Sequence, residues 1–401
     1  MNKRKTMSAF ILSLLILSLS SCGQKEDVLL GEAAADGEQD REVNKAAVEA
    51  EKMQVIDLSA EIMELEEGLT AVRFDGDYKF ADFLAQGGAS SDGEVVGFLA
   101  ENLLDGVSLD GIMGNIFGCS TLAASDPEGG VLFGRNFDWN HCDAMVVASY
   151  PEDGYASIST VNVDFITQGA GSGSVGMALK LDQVRTLAAL YAPLDGMNEK
   201  GFAISVNMIQ DSDTIEQNTD RPDITTTTAV RLLLNQASDV EEALEILDQY
   251  DMHASMGFMV HFAMADRSGR SVVVEYVDNE MVVVETPVVT NFYLAEGEKQ
   301  GIGTRQSHER FDILTETIAE KPFMTQDEVR DALDSVSKDN FGEFERSPQG
   351  GMRSRGSSET DSEYPIETTE WSIVFDQSAL TAAYYHRENY EKAYFFQIMG
   401  K

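Results

Sequence analysis

The chain has 401 residues, is 43% hydrophobic, and carries 69 Asp and Glu against 29 Lys and Arg, a formal net charge of −40. The apolar share supplies a core for one large domain or two ordinary ones. A surface this acidic repels phosphate backbones and anionic headgroups, which argues against nucleic acid as a partner and fits a protein kept soluble outside the cell.

Residues 1–22 read as a targeting segment. Lys3, Arg4 and Lys5 form a positive start, and residues 9–19 are an apolar run too short to span a bilayer comfortably. The run ends in Leu19-Ser20-Ser21-Cys22, which resembles a bacterial lipobox. That resemblance implies cleavage before Cys22, lipid on Cys22, and an extracytoplasmic protein that meets the cell membrane only through its lipid anchor. An ordinary secreted protein cut nearby is the other reading. Residues 23–44, small and acidic, read as a flexible tether.

Residues 45–118 carry helical patterning. Val55, Leu58, Ile62, Leu65 and Leu69 recur at spacings of three or four, and a second stretch holds Phe80, Phe83, Leu84, Val96, Phe98, Leu99 and Leu103. Such a segment packs on something else and does not stand alone. At Gly118 the pattern turns to β. Residues 120–124 and 131–136 flank Ser125-Asp126-Pro127-Glu128-Gly129-Gly130 and predict a hairpin. Further strands are expected at 144–150, 156–163, 186–192 and 202–208. Helices follow at 226–237 and 240–249, the second opened by Ser238 with Glu241 as a capping box. Strands at 258–266, 271–276 and 281–289, helices at 309–319 and 326–336, a Gly/Ser/Arg-rich loop at 347–362, and strands at 371–375, 382–386 and 393–398 complete the chain. Alternating strand blocks and helix pairs predict sheets covered by helices.

The residues with chemical potential cluster in the first hairpin: Gly118-Cys119-Ser120-Thr121 and Gly134-Arg135-Asn136-Phe137-Asp138-Trp139. The hairpin brings both ends together. A thiol attacks carbonyls as thiolate, and a neighbouring cation lowers its pKa. Arg135 can supply that charge and Asp138 can orient a base. Equally, Cys119 can be a small buried residue opening a strand, beside an ordinary Arg135–Asp138 pair; these residues alone leave both open. Phe137 and Trp139 suit either an acyl pocket or core packing. His141, His253, His308 and His386 show no metal-ligand spacing, so no metal or other cofactor is expected.

The hairpin resembles the choloylglycine hydrolase and acid-ceramidase-like group of N-terminal-nucleophile hydrolases, the linear amide C–N hydrolases. In that group a cysteine begins the catalytic chain, with Arg and Asp at the spacings Arg135 and Asp138 keep from Cys119. Asn198-Glu199-Lys200-Gly201 followed by Asn207, then Val289-Thr290-Asn291, Arg310-Phe311 and Trp371-Ser372-Ile373-Val374-Phe375-Asp376, are similar to its later blocks in the same order. The resemblance implies a four-layer αββα sandwich over 119–401, preceded by the helical pro-segment. It also implies cutting between Gly118 and Cys119, so that the new α-amine (pKa about 8) takes the thiol proton and returns it to the leaving amine. Asp138 would hold that amine, Arg135 the thiolate, and Asn207 the oxyanion, with Asn291 and Arg310 completing the network. The substrate would be a small-molecule, non-peptide amide with an apolar acyl group; conjugated bile acids, N-acyl amino acids and N-acylethanolamines all stay open. The pro-segment would be retained as a packed subunit or released.

The chain departs from bile-salt hydrolases in a short stretch between Asn291 and Arg310, where they carry an assembly loop, and in Ser120, where they usually have Thr. A tetramer is therefore not carried over. Asn207, where penicillin acylases of the group often have Tyr, leans away from penicillin V. Two rivals stand beside this reading. One is a papain-like or transglutaminase-like hydrolase pairing Cys119 with His261 and Asp266. The other is a non-catalytic ligand-binding surface lipoprotein in which Cys119 and Cys142 form a disulfide.

Overall fold

In the computed structural model, residues 54–103, 118–167, 182–344 and 368–399 are described. The targeting segment with Cys22, the acidic tether and the 347–362 loop lie outside them. Strands β1 (Met63–Glu66) and β2 (Leu69–Asp75) lead into helices α1 (Phe80–Ala85) and α2 (Asp92–Asn102). Ser91 caps α2 by accepting the Glu94 N–H. Strands β3 (Gly118–Ser125), β4 (Val131–Trp139), β5 (Ala144–Tyr150) and β6 (Ser157–Asn162) follow, then helices α3 (Val163–Thr167) and α4 (Asp182–Leu190). Next come β7 (Asp195–Asn198), β8 (Ala203–Met208) and β9 (Asp223–Thr225), helices α5 (Thr226–Gln236) and α6 (Val240–Leu247), and β10 (Asp251–His253). Strands β11 (Val260–Ala265), β12 (Ser271–Val277), β13 (Glu280–Glu285) and β14 (Val288–Val289) precede helices α7 (Arg305–Glu320), α8 (Gln326–Ser335) and α9 (Lys338–Phe344). The chain closes on β15 (Thr368–Asp376), β16 (Thr381–His386) and β17 (Tyr394–Gln397).

Among the described residues the larger sheet has nine strands in the order β1-β2-β5-β6-β7-β8-β11-β12-β13, and a second has six, β14-β3-β4-β15-β16-β17. Alternation along the strands sends side chains to two faces, and each face finds a partner layer. Ala123, Phe133 and Phe137 of the smaller sheet meet Val146, Ile158, Ala263 and Val273 of the larger one in a core between the sheets. On the far side of the smaller sheet, Leu122, Ala124 and Leu132 pack on Leu314 of α7 and on Val329 and Leu333 of α8. On the far side of the larger sheet, Val147, Val161, Ile204 and Phe262 pack on Leu232, Leu233 and Val240 of α5 and α6. Helix, sheet, sheet, helix is the expected four-layer α+β sandwich.

Four local expectations are corrected. Residues 55–69 do not form a helix: β1 and β2 form a hairpin, and β2 runs parallel to β5 along its whole length. Gly68 turns that hairpin at φ +83°, a conformation that interrupts any helix there. Leu69 and Ala71 face the inter-sheet core while Val72 faces the helices, so within β2 the apolar residues alternate with a period of two. Residues 80–85 and 92–102 are helical as expected. The run 186–192 is not a strand but lies largely in α4, where Thr186 Oγ1 donates to the Asp182 carbonyl; a short apolar run does not distinguish a buried helix from a strand. The span 281–289 divides at Pro287, which has no N–H to give a ladder, leaving β13 in one sheet and β14 in the other. Finally, the cap of α6 is Asp239, accepting the Glu242 N–H, one residue after Ser238.

Candidate active site

The register of β3 on β4 builds the centre. Gly118 lies opposite Asp138, Cys119 opposite Phe137, and Thr121 opposite Arg135. Cys119, Arg135 and Phe137 therefore face the inter-sheet layer, whereas Ser120 and Asp138 face the helices.

Between the sheets, Arg135 is fully buried and makes an ion pair through Nη1 with Asp195 of β7. Its Nη2 donates to the Val206 carbonyl at 2.8 Å and lies 3.8 Å from Cys119 Sγ. The guanidinium also sits 5.1 Å from the Phe137 ring centroid and 5.7 Å from that of Trp371. Asp195 is fixed in turn by Trp371 Nε1, which donates at 2.9 Å. Burial pushes the Cys119 thiol up; Arg135 pulls it down, Asp138 pushes up, Arg310 pulls down, and burial prevails. In the continuous strand the thiol is thus neutral and shielded. Asn207 enters this layer from β8, its Nδ2 donating to Thr121 Oγ1 at 3.0 Å and its Oδ1 accepting from Ser205 Oγ at 3.1 Å.

On the helix side, Arg310 of α7 donates through Nη1 to the Cys119 carbonyl and to Ser120 Oγ, both at 2.6 Å, and reaches Asp138 Oδ2 at 3.4 Å. Its Nη2 donates to Asn291 Oδ1 at 2.8 Å. That same oxygen accepts the Cys119 backbone N–H at 2.7 Å, while Asn291 Nδ2 donates to the Met208 carbonyl at 2.7 Å. Asp138 accepts from Thr369 Oγ1 at 2.8 Å. Cys119, Arg135, Asp138, Asn207, Asn291 and Arg310, scattered over the sequence, are brought to one end of the two sheets. In the uncut strand the hydrogen bond to the Cys119 nitrogen is made by Asn291, while Asp138 engages Thr369 and Arg310.

Phe137 and Trp139 are packed rather than open. Phe137 stacks on Trp371 with centroids 3.9 Å apart and on Trp139 at 5.8 Å, and Trp139 meets Phe165 edge-on at 4.8 Å. Their cluster includes Cys119 itself. Asn198 of the quoted block organises the β7–β8 turn, its Oδ1 accepting from the Lys200 and Phe202 N–H groups.

The structure opposes a particular of each rival reading. His261 Nδ1 meets Glu275 and Nε2 meets the Thr290 carbonyl, leaving no ring nitrogen for a thiol, and Asp266 binds Ser268 and the Val240 N–H. Cys119 and Cys142 are both free and buried, so no disulfide joins them. Among the described residues, no cluster of three or more His, Cys, Asp or Glu side chains could hold a metal ion.

Reading the sequence missed Asp195 and Ser205, and gave Thr121 and Trp371 no role of their own. Only Asp195 left a signal, as a charged residue in the apolar run Leu194 to Met197, directly before the Asn198 block.

Residues 119–292 match the family model of linear amide C–N hydrolases, choloylglycine hydrolase family. No curated protein matches the sequence. Among solved structures, the chain is similar to a mutant of conjugated bile acid hydrolase from Clostridium perfringens, with 18% identity and a TM-score of 0.48, covering 70% of this chain and 92% of that one. A second variant of that hydrolase gives 16% identity and a TM-score of 0.48 over the same shares. Penicillin V acylase from Agrobacterium tumefaciens gives 18% identity and a TM-score of 0.44, covering 67% and 83%.

Proposed function

With residues 119–292 belonging to the choloylglycine hydrolase family of linear amide C–N hydrolases, we propose that this protein hydrolyses a small-molecule linear amide through a thioester on Cys119, after cutting itself between Gly118 and Cys119. The observation that carries the reading is the Cys119 nitrogen. It is held by Asn291 Oδ1, itself gripped by Arg310, while Arg135 faces the thiol of the same residue. An N-terminal nucleophile needs a site built around its nitrogen, and this one joins that nitrogen to the cations that flank the thiol and the carbonyl.

In the cutting step the thiol adds to the Gly118 carbonyl, the C–N bond breaks as the amine takes a proton, and water hydrolyses the resulting thioester. The freed α-amine then serves as base. It accepts the thiol proton as sulfur attacks the substrate carbonyl, and returns it to the departing amine; water releases the acyl group. Arg135 supports the thiolate, and Asn207 is within the same layer to donate to the oxyanion. The N-terminal piece stays bound, because β2 is an interior strand of the larger sheet. The lipobox-like Cys22 would tether this assembly outside the bacterial cytoplasm.

Intact-mass analysis of purified wild type beside Cys119→Ala tests the reading. Wild type should yield two fragments divided at Gly118–Cys119 and release amine from at least one member of a panel of conjugated bile acids, N-acyl amino acids and N-acylethanolamines. Cys119→Ala should do neither. A wild type that remains whole and inert across the panel would remove the proposal.

A further inference from the structure

Another buried pair of titratable side chains, not used by the chemistry above, grips the segment that carries Asn291. His261 on β11 and Glu275 on β12 are both fully buried. His261 Nε2 lies 2.8 Å from the Thr290 carbonyl oxygen, and Nδ1 lies 3.0 Å from Glu275 Oε1. A carbonyl oxygen only accepts, so Nε2 carries a proton. Glu275 also accepts the Leu294 N–H at 2.9 Å and the Ala295 N–H at 2.8 Å. Burial pushes its carboxyl up, but His261 and those two N–H groups outweigh it and hold the group below its ordinary value. The ring is thus closed between the Thr290 carbonyl and the Glu275 carboxyl.

The two side chains thus place three hydrogen bonds on one short turn: one at Thr290, the residue before Asn291, and two at its far end. His261 is in addition the cross-strand neighbour of Asn207. A buried ion pair is a poor source of stability, since desolvation consumes most of the attraction. Its directional bonds are a good source of position. Asn291 Oδ1 sits 2.7 Å from the Cys119 nitrogen, and a displacement of about 1 Å would break that contact and can cost on the order of 10²-fold in rate.

We propose that His261 and Glu275 are positioning residues which hold Asn291 against the nitrogen that becomes the catalytic amine. This rests on the hydrolase reading above. Their side chains touch neither sulfur nor substrate; they act through the turn.

Two measurements test it. In wild-type protein labelled with 15N-histidine, His261 Nε2 should carry a slowly exchanging proton; a ring whose only proton sits on Nδ1 would overturn the clamp on Thr290 whatever the activity. In kinetics, Glu275→Gln should lower kcat roughly 10- to 100-fold with KM within about threefold. Combined with Asn291→Ala and followed by single-turnover acylation, Glu275→Gln should add less than about a twofold loss, because its effect runs through the residue already removed. Losses that multiply, or a loss confined to KM, would overturn the role. If Nε2 carries its slowly exchanging proton yet wild type neither cuts nor hydrolyses any amide, the positioning role falls because the hydrolase reading has failed, and the intact contact identifies that cause.

Discussion

Replacing Gly118 by alanine tests the geometry around the cut site. Gly118 is not at a positive φ, so chain entropy alone would favour alanine by about 0.4–1 kcal/mol. Sterics reverse the sign. A Cβ there would lie 2.7 Å from Asp138 Oδ2, 3.1 Å from Asp138 Cβ and 3.2 Å from Lys338 Cε. Asp138 cannot swing away freely, since it accepts from Thr369 at 2.8 Å and faces Arg310 at 3.4 Å. Overpacking costs roughly 1–3 kcal/mol and a lost hydrogen bond to a charged group roughly 1.5–3. Taken together, Gly118→Ala should destabilise by about 3–5 kcal/mol, a fall in Tm of about 6–10 °C at about 2 °C per kcal/mol. It should also slow self-cleavage, because the displaced Asp138 disturbs Arg310 on the Cys119 carbonyl. Thermal unfolding and a time course of intact mass measure both effects. Gly97→Ala is the control: it lies in α2 with nothing within 4 Å of the added Cβ, and should raise Tm by about 1–2 °C. A Gly118→Ala protein that unfolds within about 1 °C of wild type and cuts at the same rate would refute the reasoning.

Three further outcomes are expected. Asp195→Asn leaves Arg135 buried without its carboxylate and should cost roughly 3–5 kcal/mol in urea unfolding; an unchanged midpoint would show that the pair contributes nothing. Arg310→Lys replaces a planar fork by one ammonium, which cannot serve the Cys119 carbonyl, Ser120 and Asn291 together. Turnover should fall on the order of 10²-fold, and activity within twofold of wild type would count against the network. The third concerns alkaline pH. Burial raises the Cys142 thiol, so above the unfolded value of about 8.5 the unfolded chain loses a proton that the folded one keeps. Stability should therefore decline as pH rises from 8.5 to 9.5, by up to about 1.4 kcal/mol over that unit. Cys142→Ala should flatten this part of the urea-midpoint profile, and an equal slope in both proteins would contradict the burial of the thiol.

Much of the architecture is written locally. The turn from Ser125 to Gly130 between two apolar runs specifies the β3–β4 hairpin, and its pairing alone puts Gly118 beside Asp138 and Cys119 near Arg135. The capped helices α5 and α8 and the strands β15 and β16 are likewise local in origin, because a period of two or of about 3.6 decides them. Where the pattern served two periods, as at 55–69 and 186–192, only the neighbouring layer decided. β2 is a strand because β5 supplies its hydrogen-bond partners, and α4 is a helix packed onto the larger sheet.

The site divides in the same way. The choice of Cys119, Arg135, Asp138, Asn207, Asn291 and Arg310 was legible as an ordered set of residue types. Which of them touches which was not. That Asn291 rather than Asp138 meets the Cys119 nitrogen, and that Asp195 balances Arg135, depends on the approach of β7, β14 and α7 from distant parts of the chain. Phe137 and Trp139 were equally suited to a pocket or a core until Trp371 and Phe165 closed over them. Side-chain type and spacing determine which chemistry is available and which faces are apolar. Contacts across sheets depend on how whole layers dock, and that docking alone brought the nitrogen of Cys119 to Asn291 and its sulfur to Arg135.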